Sequence, residues 1–203
     1  VSLALACLLF ATIARAQDAR LRGALDPETL AKVTRLADSA RAESLPIDPL
    51  IGVALEGSQR HIAGARITKA VQDYLGALRA ARAALGPDAG PAEITSGAGV
   101  LLSGVSSDVL RQLRAASPKR SLTVPLVVLA DLIARGVPKD TAAQAIAAAA
   151  RVNARDDDYS ALRRFVEQDI IAGASPAAAA MLRVRTITGA PPAKQPSAPE
   201  TRR

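Results

Sequence analysis

Residues 121–153, SLTVPLVVLADLIARGVPKDTAAQAIAAAARVN, hold the unit from which the rest of this chain is built. An apolar run reaches Gly136, the chain turns through Val137 and Pro138, and an Ala-rich run carries it back. Each part has a physical role: glycine tolerates the left-handed backbone that ends a helix, the next apolar residue plugs the corner, and a Pro-containing turn starts the second helix. A hairpin of this kind has one apolar side and must stack on another to bury it.

The unit has a second copy at an offset of 75 positions. Leu50-Ile51-Gly52-Val53-Ala54-Leu55-Glu56 falls on Pro125-Leu126-Val127-Val128-Leu129-Ala130-Asp131. Arg60 falls on Arg135, His61 on Gly136, Ile62 on Val137 and Val71 on Ile146. Shorter echoes, Gly104-Val105-Ser106 and Gly173-Ala174-Ser175, lie 32 residues before and 37 after Gly136. Such unequal spacing predicts degenerate hairpins and not a strict solenoid repeat.

Composition supports helices throughout. Apolar residues make up 49% of the 203 and aromatics only 2%, so the core must be assembled from Ala, Leu, Val and Ile. Alanine loses no side-chain entropy in a helix, whereas strands favour bulkier side chains. The expected fold is all-α: stacked helical hairpins, an irregular α-helical bundle or short solenoid-like array of about eight or nine helices.

Residues 2–13, SLALACLLFATI, followed by Ala14-Arg15-Ala16, have the apolar core and A-x-A ending of a secretory signal peptide cleaved after Ala16. The run is shorter than the roughly 20 residues a membrane-spanning helix needs. The sequence opens at Val1, without Met or the basic residues that usually lead such a segment. The only cysteine, Cys7, lies inside it, so a processed chain would carry no thiol. Lipid anchoring at Cys7 is the lesser alternative, because apolar residues and not a polar tether follow it. The expected location is therefore exported, periplasmic or extracellular.

Beyond the leader, residues 17–188 read as one helical-hairpin domain, with possible halves 24–86 and 92–188 joined by the linker GPDAGP at 86–91. Asp26-Pro27-Glu28 and Asp48-Pro49 have the composition of helix starts. Ile94–Leu102 is apolar but contains Gly97 and Gly99, each costing about 1 kcal/mol in a helix relative to Ala. Asp156-Asp157-Asp158 opens a helix whose Tyr159, Leu162, Phe165, Val166 and Ile170 are expected to point inwards. Residues 189–203 are rich in Pro and polar side chains and are expected to be a disordered tail.

The formal charge is +7, but basic residues are scattered and interleaved with acids, and two Phe and two Tyr leave little to stack on bases. A solvated surface is expected, with no nucleic-acid partner. His61 is the only histidine, so no His/Cys set of metal-ligand type can be assembled, and no metal or cofactor is expected. Its place in the repeat, opposite Gly136, predicts a helix-end residue.

The polar positions singled out are Glu56 with Arg60 and Asp131 with Arg135, acid-to-Arg pairs at i,i+4 that sit at equivalent places in the two copies. They are candidate interaction positions, facing a protein partner or an anionic envelope polymer. The enzymatic alternative is a hydrolase using Glu56 and Asp131 as acid and base. No catalytic, cofactor or metal signature stands beside them, and the expectation is an exported, non-enzymatic helical interaction or structural protein.

Overall fold

The computed structural model describes residues 20–189; the signal-peptide expectation, Cys7 and all but the first residue of the Pro-rich tail lie outside them. The described residues are helical without a strand, as the composition implies. Residues 20–24 are helical, and nine further helices follow: α1 Pro27–Ala42, α2 Asp48–Gln59, α3 Gly64–Leu85, α4 Pro91–Leu102, α5 Ser107–Ala116, α6 Thr123–Ala134, α7 Lys139–Arg151, α8 Asp156–Ile171 and α9 Pro176–Thr188.

They form two compact units that divide between Arg111 and Gln112, within α5. The boundary is not the 86–91 linker, because α4 packs back onto α3 across it. Gly97 contributes to this: a Cβ there would stand 3.0 Å from Leu85 Cδ1 and 3.1 Å from Ala81 Cβ, so a larger residue would have to push its neighbours back by a few tenths of an ångström. Burial of α4 on α3 then outweighs the propensity cost of glycine.

In the first unit α3 is the hub, packing against α1, α2 and α4. Val71, Leu75, Leu78 and Ala81 of α3 are fully enclosed, as are Val33, Leu50 and Ile94 from the surrounding helices. Asp26 caps α1 by accepting from the Thr29 N–H at 3.0 Å. Asp48, in contrast, is not a cap; Ile47 occupies that position and Asp48 lies in the first turn of α2.

In the second unit α6 packs on α7 and α8, and α9 packs on the same two helices. Leu126, Leu129, Leu132, Ile146, Leu162 and Val166 form the core. Burial pushes the Tyr159 hydroxyl up to about 12. Phe165 departs from expectation, lying 37% exposed at the surface of α8 instead of in the core.

One local device recurs through both units. Ser44, His61, Gly104, Gly136, Asn153 and Gly173 all have left-handed backbone, with φ between 54° and 96°. After each, the next N–H reaches back five residues, as from Val137 to Leu132 O at 3.0 Å and from Ile62 to Gly57 O at 3.0 Å. The corner residue's own N–H reaches back three, as from Gly136 to Ile133 O at 3.0 Å and from His61 to Ser58 O at 2.9 Å. This pair of bonds is the Schellman motif, which satisfies carbonyls that a helix end would otherwise leave free. Leu45, Val105, Val137 and Ala154 plug their corners and are buried, whereas Ile62 is 40% exposed.

The 75-residue offset is structural as well as sequential. Adding it to the bounds of α2 gives those of α6, and adding it to the first residue of α3 gives the first of α7. The entry geometry agrees too: Ala63 has φ −56° and ψ 137°, and Pro138 has φ −54° and ψ 139°. Seven matched pairs are buried in both copies: Leu50/Pro125, Ile51/Leu126, Ala54/Leu129, Gly57/Leu132, Ile67/Ala142, Val71/Ile146 and Leu75/Ala150.

Candidate functional site

The four polar positions fall on the two repeated helix ends, and both i,i+4 pairs form. In the first unit Arg60 Nη2 lies 2.8 Å from Glu56 Oε1, with the Glu56 side chain 60% exposed. In the second, Arg135 Nε donates to Asp131 Oδ2 at 2.9 Å, with Asp131 only 27% exposed. The difference comes from α8. Arg135 Nη1 also donates to Glu167 Oε1 at 2.6 Å, and Arg163 Nε lies 3.8 Å from Asp131. Hydrogen bonds to Asp131 and then Glu167 hold the Arg135 guanidinium above its ordinary pKa.

Asp131 and Arg135 thus belong to a four-membered charge network that ties α6 to α8, while Glu56 and Arg60 make a solvent-facing pair. Glu56 and Asp131 lie in different units, each neutralised by its own arginine. His61 ends α2 with φ 54° and is exposed, as its place in the repeat predicts. Among the described residues no group of three or more His, Cys, Asp or Glu could hold a metal ion, and no helix is long and apolar enough to cross a membrane.

The second unit also carries a groove that sequence reasoning missed. It occupies about 640 Å³ between the α7–α8 corner, one face of α8 and the last turns of α9. Val152, Ala154, Leu162, Phe165 and Ile187 give it an apolar lining, with Arg155, Asp158 and Arg183 among its polar members. Phe165 is flanked by two guanidiniums, Arg164 at 5.0 Å and Arg183 at 5.2 Å from the ring centroid. Arg183 is fixed by a two-pronged pair with Asp169, Nε to Oδ2 at 2.6 Å and Nη2 to Oδ1 at 2.5 Å. That pairing holds the Asp169 carboxyl below its usual range.

The only sequence signal for the groove was that one of the chain's two phenylalanines is preceded by two arginines, Arg163 and Arg164. Asp169 and Arg183, fourteen residues apart on different helices, gave no local pattern. Comparison of the chain with protein-family models, curated proteins and solved structures gave no match.

Proposed function

We propose that this is an exported, non-enzymatic helical protein that acts by contact with another protein in the cell envelope or outside the cell. Support comes from the doubled helix–corner–helix unit. Each copy sits in its own unit, and the two share the bounds of the first helix, the start of the second and seven matched buried positions, while their exposed positions differ. Repeated helical hairpins of this kind serve to present surface. Gly52 and its equivalent Val127 are both exposed on those outer faces.

Placing a photoreactive side chain at position 52 or 127 and irradiating the protein in its native compartment tests this. A contact protein gives a discrete adduct of reproducible size; absence of any discrete adduct from both positions overturns the proposal. N-terminal sequencing of the same material tests export, with Gln17 as the expected first residue and a cytosolic chain retaining residues 1–16 as the contrary result.

The charge distribution favours, second, a basic module that holds an anionic envelope polymer. Residues 112–189 carry eleven Lys and Arg against seven Asp and Glu, whereas residues 20–111 carry eleven against ten. Retention on an immobilised polyanion that collapses as salt rises would support this alternative, and salt-independent behaviour would remove it.

A further inference from the structure

We infer that the groove on α8 and α9 is a binding site for an amphiphilic anion, a small molecule with an apolar body and a single carboxylate, sulfonate or phosphate head. Its volume of about 640 Å³ lies within the roughly 300–1,000 Å³ of small-molecule sites, which are mostly apolar with a few placed polar groups. The floor meets that description through Val152, Ala154, Leu162, Phe165 and Ile187.

The head-group end is set by Arg183. Asp169 engages Nε and Nη2 and locks the guanidinium in place, and the ring of Phe165 lies beneath it. Nη1 is not used in that pairing, so a pre-oriented donor edge is left for an incoming anion. Arg155 adds a second cation to the lining. The acid that lines the groove, Asp158, keeps its charge but is held at the start of α8, where it accepts from the Arg155 N–H at 2.7 Å. An apolar trough with one fixed guanidinium donor and a second arginine in its lining is complementary to an anion with a hydrocarbon body, and less suited to a cationic amphiphile of the same length.

Isothermal titration of the purified chain with sodium dodecanoate, below its micellar concentration, tests the site, with dodecyltrimethylammonium as the cationic control. Saturable one-to-one binding of dodecanoate is expected, with none of the cation. Arg183→Gln should weaken dodecanoate binding by roughly tenfold or more through loss of the charged donor. Ala161→Phe, which fills the groove from α8, should abolish it. Phe165→Ser, at a partly exposed position outside the core, gives a second reading of the apolar floor should Arg183→Gln fail to fold. Absence of saturable dodecanoate binding, equal binding of the cation, or binding indifferent to Ala161→Phe and Phe165→Ser would each overturn the inference. The photocrosslinking result is independent of all three outcomes.

Discussion

Gly57 and Ile67 are packed so closely that a Cβ at position 57 would stand 2.8 Å from Ile67 Cγ1. Their equivalents in the second copy are Leu132 and Ala142, both buried and on two helices that also pack together, so the large and small residues have exchanged places at the matched positions. Gly57→Ala should therefore destabilise despite alanine's better helix propensity, because overpacking costs about 1–3 kcal/mol and Ile67 is branched at Cβ. Adding Ile67→Ala should recover part of the loss, and a double-mutant cycle in denaturant measures the coupling. Strict additivity of the two changes would show that the swap has no energetic meaning.

Gly97 and Gly99 lie two residues apart on α4 and should respond in opposite ways. Around Gly97, Leu85, Ala81 and Leu110 all approach within 3.2 Å of where a Cβ would sit, whereas Gly99 has nothing within 4 Å. Gly97→Ala should lose stability as the helices are forced apart. Gly99→Ala should gain about 0.5–1 kcal/mol through lower unfolded-state entropy and better propensity. Thermal or urea unfolding of the two single variants decides it, and a shift of the same sign in both would contradict the packing described.

His61 and Gly136 close equivalent helices, but the φ of 54° at His61 strains an L-residue in a way the 87° at Gly136 does not strain glycine. Left-handed backbone costs an ordinary side chain about 1–2 kcal/mol, so Gly136→Ala should be destabilising on that order. His61→Gly should be neutral to stabilising, since glycine relieves the strain but adds unfolded-state entropy. Both are read from denaturation midpoints, and a destabilised His61→Gly would mean that the imidazole makes contacts beyond its backbone role.

How much of this was legible in the sequence depended on range. Corners at Gly104, Gly136 and Gly173 could be read because left-handed backbone selects glycine, and behind the first two an apolar plug, Val105 or Val137, is buried, whereas Ala174 is exposed. Ser44 and Asn153 make the same turn without glycine, so the mark was missing there. The pairs Glu56–Arg60 and Asp131–Arg135 were visible because four residues is one helical turn. Glu167, thirty-two residues beyond Arg135, and Glu43, thirty-six before Arg79, join their arginines only through the packing of different helices. Phe165 looked like core because it falls on the apolar stripe of α8, yet the flanking guanidiniums let an aromatic face remain at the surface.

Acid should weaken this protein through three identified carboxyls. Asp26 is held below its ordinary pKa by the hydrogen bonds of Thr29, Glu43 chiefly by the Arg79 guanidinium, and Asp169 by Arg183. A carboxyl whose folded pKa is depressed binds its proton more readily in the unfolded chain. Its contribution is therefore complete above the unfolded value and disappears as pH falls through the lower folded value. Denaturation midpoints should thus be flat with respect to these groups above the usual Asp and Glu range and fall on further acidification. Asp169→Asn and Glu43→Gln should each flatten the acid limb, because an amide cannot titrate, and each should lower stability at neutral pH, where the charged pair is lost. The Asp169 variant should also loosen Arg183, so it reports on the groove as well as on pH. An acid limb unchanged in both variants would place the acid sensitivity in other carboxyls of the chain.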